Sequence, residues 1–159
     1  MTTDGPSLPD TAPRPITLPV GVVVVTHGQL APELVNAAEA IVGDLANVSA
    51  VSIGWHDDVD QARTEIAQAI EEVATAAGTL VLTDMFGGTS SNLAVTLLAP
   101  GRVEVVTGVN LPMLLKLATL RDTGDLKGVA RLVREHGQGA VWVVSDLLES
   151  RAGGGKAPA

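Results

Sequence analysis

The chain has 159 residues, of which 46% are apolar and 2% aromatic, a length typical of one domain with a sizeable buried core. Ten Lys and Arg residues against 18 Asp and Glu residues give a net charge of −8, which disfavours binding to nucleic acid or to anionic membranes. The absence of cysteine excludes disulfides and thiolate metal sites. Because no apolar run approaches the roughly 20 residues of a membrane span and the N-terminus has no secretory signal, we expect a cytoplasmic protein.

Composition divides the chain into three regions. Residues 1–19 contain five prolines and predict a disordered leader, whereas residues 149–159 predict a flexible, glycine-rich tail. Three glycines before Lys156 imitate a phosphate-binding loop, but no helix follows them, so we assign them no function. The periodic apolar pattern of a folded domain covers residues 20–148.

In chain order, this domain alternates apolar runs with amphipathic stretches. Runs typical of buried strands lie at residues 20–25, 48–53, 80–83, 103–107 and 141–145. Helix starts are marked in turn by Pro32, Asp58, Ser90 or Ser91, Asn110 and Asp125. This order predicts a single α/β domain with a mainly parallel sheet of about five strands and helices on both faces. We expect the last strand to lie at an edge and to be antiparallel.

Chemically unusual residues follow the first and third of these strands. The first strand ends in Thr26-His27-Gly28, and the third is followed by Asp84 and by a glycine- and hydroxyl-rich stretch at 87–91. In doubly wound sheets, sites lie at the carboxyl ends of the strands, near the point where the strand order reverses. Neighbouring first and third strands would therefore place His27 and Asp84 face to face.

A histidine beside a carboxylate has a defined chemical use. By accepting one ring N–H, Asp84 would fix the tautomer of His27 and leave the other nitrogen free as a nucleophile. A glycine-rich helix start offers N–H donors to an anion, so the combination indicates phosphoryl transfer through a phosphohistidine. The expected phosphate-binding residues are Gly28, Gly87, Gly88, Thr89 and Ser90.

Each feature also has a structural interpretation: a solvated histidine at a strand end, a carboxylate that caps a turn, and an ordinary glycine turn. The other histidines are weaker candidates, because His56 lies in an acidic loop and His136 stands at a predicted helix end, with Gly137 as its cap. No pair of histidines has helical metal-ligand spacing, and we expect neither a metal nor a cofactor.

At these residues the sequence resembles the mannose-family enzyme IIA domain of the bacterial phosphoenolpyruvate-dependent sugar phosphotransferase system. The resemblance covers about residues 20–148. It rests on three motifs in order: Thr-His-Gly at 26–28, Asp-x-x-Gly-Gly-Thr-x-x-Asn at 84–92, and Gly-Val-Asn-x-Pro-Met at 108–113.

The resemblance implies a phosphocarrier. His27 would accept a phosphoryl group on Nε2 from the carrier protein HPr and pass it to an enzyme IIB partner, while Asp84 holds Nδ1–H and Thr89 lies near the phosphoryl group. The implied pocket residues are Asn110, Pro112 and Met113. The family forms homodimers in which the last strand joins the sheet near, or from, the partner subunit, and residues 141–145 suit that place.

The chain departs from the family pattern at two points. First, Ser90 stands where a proline is frequent in the family. Second, no IIB domain follows, so we expect IIB to be a separate protein. Association with a membrane permease complex is compatible with this expectation. An alternative function is a regulatory module of an incomplete phosphotransferase system, whose phosphorylation controls binding to a non-transport target. The phosphoryl-donor subunit of a dihydroxyacetone kinase fits the fold, but it fits the 108–113 motif less well.

Overall fold

The computed structural model describes residues 14–54, 58–120 and 124–152, which form four strands and six helices. In chain order these are β1 (Gly21–His27), α1 (Leu30–Val42), β2 (Val48–Ile53), α2 (Val59–Val73), β3 (Thr79–Thr83), α3 (Thr89–Val95), β4 (Val103–Thr107), α4 (Leu111–Thr119), α5 (Leu126–Gly139) and α6 (Val144–Ala152). The prediction of a single α/β domain with a parallel sheet is confirmed. No helix in the described ranges is long and apolar enough to cross a membrane.

The sheet has the order β2-β1-β3-β4, and all its strand pairs are parallel. The strand order reverses between β1 and β3, because the chain passes from β1 to β2 on one side and then returns to β3 on the other. Pairing of β1 with β3 ends at Val25 and Thr83, whereas β1 continues to His27, which pairs with Ile53 of β2. His27 therefore projects from the sheet at its switch point.

The valines of β1 build both layers of the core. Val22 and Val24 belong to the core layer that includes residues of α1, α4 and α5, and Val23 and Val25 belong to the layer that includes residues of α2 and α3. All four are fully buried, and burial of each such side chain stabilises the fold by about 1.5–3 kcal/mol. Since side chains alternate along a strand, His27 continues the face that carries α2 and α3.

The N-terminal leader is shorter than predicted. Ile16 forms a parallel bridge to the segment before β2, and Leu18 is 2% exposed in the core. The Asn47 side chain holds this segment, because its Oδ1 accepts the Leu18 N–H at 2.7 Å and its Nδ2 donates to nearby carbonyls. The prediction of disorder is therefore wrong for residues 14–19, where the neighbouring prolines have no N–H that needs a partner. Earlier residues lie outside the described ranges.

The predicted fifth strand at residues 141–145 is wrong for the described chain. This segment follows α5 as irregular backbone and enters α6 at Val144, so the described sheet has no antiparallel edge strand. Its side chains are 50–77% exposed between Val141 and Val144, and an apolar run forms a strand only where pairing and burial support it. Helix α6 extends to Ala152, into the predicted tail, whose remaining residues lie outside the described ranges.

Gly21, the first residue of β1, lies against the end of α2. A Cβ at this position would overlap the backbone carbonyl of Val73, so we expect Gly21→Ala to lower the free energy of unfolding by more than about 2 kcal/mol. Gly139, where a Cβ meets open space, provides the control, and Gly139→Ala should change this energy by less than about 1 kcal/mol. Denaturant unfolding measures both variants, and equal effects would contradict the argument.

Candidate functional site

His27 and Asp84 meet at the carboxyl edge of the sheet, as the motif positions predict. Nδ1 of the His27 ring lies 2.8 Å from Asp84 Oδ2, and the backbone N–H of His27 donates to the same oxygen at 3.0 Å. The histidine side chain is 35% exposed and the aspartate side chain 14%. One carboxylate oxygen thus fixes both the main chain and the ring of the histidine.

The other carboxylate oxygen is held by the segment that follows β3. Asp84 Oδ1 accepts the hydroxyl of Ser90 at 2.7 Å and the backbone N–H of Met85 at 3.0 Å. Ser90 is completely buried in the first turn of α3. Each oxygen of Asp84 therefore accepts hydrogen bonds from two donors.

These donors determine the ionisation of Asp84. Burial alone would raise its pKa, but hydrogen bonds from the His27 backbone, the His27 ring and Ser90, with attraction to a charged His27 ring, lower the pKa from 3.8 to about 2. Asp84 is therefore an anion at neutral pH. An anionic acceptor places the proton of a neutral His27 ring on Nδ1, so the lone pair lies on Nε2. Within the described ranges, Nε2 has no hydrogen-bond partner.

The loop between β3 and α3 is closed by Ser91. Gly87 donates its N–H to Ser91 Oγ at 2.9 Å, and this hydroxyl donates to the Gly88 carbonyl at 3.1 Å. The φ of +81° at Gly87 lies in the region that favours glycine. Helical bonding begins with the Asn92 N–H, which donates to the Gly88 carbonyl. The N–H groups of residues 89–91 therefore have no partner within the helix and can face an anion.

Gly88 lies directly against the histidine ring. A Cβ at this position would be 3.0 Å from His27 Cε1 and 3.2 Å from Met85 Cγ, so any side chain would press on one of the two. Met85 and Phe86, which belong to the same loop, are 54% and 80% exposed. Two large apolar residues in a glycine-rich loop are a usable signal, but no role was predicted for this pair.

The predicted phosphate-binding residues have different surroundings. Thr89 is exposed at the start of α3, where its hydroxyl can reach a ligand. Gly28 is exposed directly after the histidine, with a φ of +56°. Ser90 differs from the prediction, because its hydroxyl is buried on Asp84 and so faces the carboxylate rather than an incoming anion.

The predicted pocket residues begin α4. Asn110 Oδ1 accepts the Met113 N–H and its Nδ2 donates to the Gly137 carbonyl, both at 3.2 Å. Met113 is 2% exposed and packs so closely on Gly137 that a Cβ there would overlap it. Its side chain thus belongs to the core and not to an open pocket, while Pro112 is half-buried in the first helical turn. Gly137, predicted as a cap, instead lies inside α5. A glycine is needed there because the close packing of Met113 leaves no room for a side chain.

The hydrogen bonds of His27 and Asp84 within the described ranges involve no other histidine. His136 is exposed in the last turn of α5, as predicted, and His56 lies outside the described residues. Among the side chains that the structure describes, no group of three or more potential ligands could hold a metal ion.

Fold and site together define the class of the protein: a parallel α/β domain in which a carboxylate anchors a partly exposed histidine at the switch point. The family described as "PTS system fructose IIA component", or EIIA-man, matches residues 21–133. The chain belongs to this family, and the resemblance seen in its motifs is confirmed.

Individual relatives agree with this assignment. The chain is 29% identical over 131 residues to the fructose-specific EIIA component of Bacillus subtilis. These aligned residues cover 82% of this chain and 90% of the relative. It is 35% identical over 109 residues to the mannose-specific EIIAB component of Escherichia coli, covering 65% of this chain and 32% of that longer protein. The structure of a mannose/sorbose-specific IIA subunit from Enterococcus faecalis superposes with a TM-score of 0.70, at 29% identity, over 78% of this chain and 93% of that one.

The lowered pKa of Asp84 predicts an acid-dependent contribution to stability. A depressed carboxylate pKa stabilises the folded state above the unfolded value, and this contribution is lost as the pH falls through the folded value. The difference in free energy of unfolding between the wild type and Asp84→Asn should therefore be present at about pH 5 and shrink as the pH falls towards about 2. Denaturant unfolding at a series of pH values measures it.

Asp58→Asn is the matched control, because it removes a carboxylate that caps α2 and asparagine caps a helix equally well. A difference for Asp84→Asn that stays constant from about pH 5 to about pH 2 would contradict an ionised, hydrogen-bonded Asp84.

Proposed function

We propose that this chain is a cytoplasmic phosphocarrier of a sugar phosphotransferase system, in which His27 accepts a phosphoryl group from HPr and transfers it to an enzyme IIB partner. The observation that carries the proposal is the 2.8 Å contact between His27 Nδ1 and Asp84, which leaves Nε2 as the reactive nitrogen. Membership of the EIIA-man family supports it. Because relatives are named for fructose, mannose and sorbose, the proposal specifies no sugar.

The chemistry requires one bond to form and one to break at each step. The Nε2 lone pair of His27 attacks the phosphorus of the phosphorylated donor; a P–N bond forms, and the bond from phosphorus to the donor breaks with its electron pair. Positive charge grows on the ring during this attack, and Asp84, which keeps its hydrogen bond to Nδ1–H, stabilises that charge. Attack by the acceptor protein on the same phosphorus then breaks the P–Nε2 bond and restores the neutral ring.

The loop before α3 suits a phosphoryl group beside Nε2. The absence of a side chain at Gly88 leaves space next to His27 Cε1, and the N–H groups that begin α3 point away from the helix. Thr89 adds an exposed hydroxyl. Asp84 repels an incoming anion less than a bare carboxylate would, since both of its oxygens are already bonded to donors.

Phosphorylation with phosphoenolpyruvate, enzyme I and HPr tests the proposal directly. We expect the wild type to take up an acid-labile label and His27→Ala to take up none, because Nε2 is the acceptor. Asp84→Asn should still be labelled, but about 100 to 10,000 times more slowly, since an amide neither fixes the tautomer nor stabilises the ring charge.

His136→Ala is the control and should be labelled at the wild-type rate, because His136 is exposed and takes no part in the hydrogen bonds that hold His27 and Asp84. Equal labelling of His27→Ala would reject the assignment. A rate for Asp84→Asn within about threefold of wild type corresponds to a change of less than about 1 kcal/mol in activation free energy. That result would show that Asp84 is only a structural cap.

We also propose that the chain forms a homodimer through its C-terminal segment. Val141, Trp142, Val143 and Val144 are consecutive apolar residues that are each at least half exposed. In the described sheet, β4 pairs with β3 on one side. On its other side it has only an isolated bridge from Val103 to Ala99, so the rest of its outer edge is open. An open edge and an exposed apolar segment are both liabilities in a monomer, and a second subunit can cover them.

Sedimentation velocity tests the homodimer with full-length protein. Trp142→Glu should dissociate it at micromolar concentration, because a charge would be buried in the interface. Ile41→Glu places the same charge on α1, at a position 61% exposed, and should leave the dimer intact. A wild-type chain that sediments as a monomer, or equal dissociation by both variants, would contradict the proposal.

A further inference from the structure

We propose that Ser90 is a positioning residue of the phosphoryl-transfer site, acting on His27 through Asp84. The inference rests on the proposed function and adds to it a residue that touches neither the histidine nor the phosphoryl group. It assigns to the Ser90 hydroxyl a role different from the anion contact that the sequence suggested.

An aspartate side chain keeps rotational freedom when only one of its oxygens is bonded. Rotation about the bond that carries the carboxylate is soft and roughly two-fold, so a hydrogen bond at one oxygen does not fix the plane of the group. In Asp84, Oδ2 accepts both His27 donors, while Oδ1 accepts Ser90 Oγ at 2.7 Å and the N–H of the adjacent Met85 at 3.0 Å. The Met85 N–H belongs to the next residue of the same loop, whereas the Ser90 hydroxyl joins the carboxylate to α3. The Ser90 hydroxyl therefore fixes the plane relative to the helix, and with it the direction in which Oδ2 meets Nδ1.

The hydroxyl of Ser90 is shielded from solvent. Ser90 is 0% exposed, so no bulk water can replace its hydroxyl as the donor to Oδ1. A serine in a helix can instead bond to a carbonyl of the preceding turn, yet the bond in this structure goes to Asp84, six residues earlier in the chain. Hydrogen bonds to a charged group in a buried site are stronger than those between neutral groups.

The next residue provides a comparison. Ser91 is also buried, but among the described residues its hydroxyl bonds only to Gly87 and Gly88, within the loop. Two neighbouring hydroxyls of the same type, equally buried, therefore have separate partners: one holds the loop and the other holds the carboxylate. Substitution of each by alanine separates a loop effect from an effect on the site.

The test uses the full-length, ¹⁵N-labelled protein and two measurements. The ring-nitrogen chemical shifts of His27 report the fraction of the Nδ1–H tautomer in the unphosphorylated protein. The rate of phosphoryl transfer from HPr reports function. We expect Ser90→Ala to lower the Nδ1–H fraction and to slow transfer about tenfold, the effect of losing one hydrogen bond to a charged group.

Ser90→Thr retains a hydroxyl and should restore both measurements, whereas Ser91→Ala should leave the tautomer unchanged. In an Asp84→Asn background, Ser90→Ala should slow transfer no further, because the residue through which it acts is gone. This double-mutant comparison shows whether Ser90 acts through Asp84, even if the extra methyl group of threonine does not fit at position 90.

Two results would overturn the proposal: an unchanged tautomer in Ser90→Ala, or a slowing by Ser90→Ala that is as large in the Asp84→Asn background as in the wild type. A wild-type protein that HPr does not phosphorylate would instead overturn the proposed function. In that case the tautomer measurement still decides whether Ser90 positions the ring.

Discussion

The Asp84 carboxylate connects parts of the chain that are distant in sequence. It follows β3, yet its Oδ2 holds the end of β1 through two donors of His27, and its Oδ1 holds the first turn of α3 through Ser90. These contacts exist because β1 and β3 are parallel neighbours whose carboxyl ends lie together. The burial of the group costs free energy, and the surrounding donors more than offset that cost, so the site retains a fixed negative charge.

The rigidity of the site comes from the core beneath it. Strand β1 is buried from Gly21 to Thr26 and pairs on both sides, so the backbone that carries His27 is held by a central strand and not by a mobile loop. The polar residues of the site begin where this burial ends, at a half-exposed histidine. Small branched side chains make this possible, because they fill both faces of a strand without aromatic groups.

Sequence patterns that depend on local chemistry predicted most of the fold. The caps formed by Asp58, Asn110 and Asp125 accept backbone N–H groups as expected, and the four parallel strands follow from apolar runs with helical stretches between them. The contact between His27 and Asp84 was also predictable, since topology alone brings the two strand ends together.

The remaining features depend on tertiary partners that composition does not reveal. Residues 14–19 are ordered because Asn47 holds Leu18, and no local pattern identifies that pairing. The apolar run at 141–145 has strand composition but no strand neighbour among the described residues. Ser90 lies beside Asp84, but the sequence did not predict this partner, because the direction of a hydroxyl depends on the position of a carboxylate six residues away.

Gly88 has a consequence for repeated turnover. A side chain at this position would press on His27 Cε1, the ring carbon between the two nitrogens, whereas Asp84 holds the ring from the Nδ1 side. The imidazole therefore has its orientation, with free space beside it, before any phosphoryl group arrives. The side-chain entropy that this orientation costs is lost once, when the chain folds, and not again in each cycle of phosphorylation and release. A carrier that alternates between two protein partners can thus present the same nucleophile orientation to both.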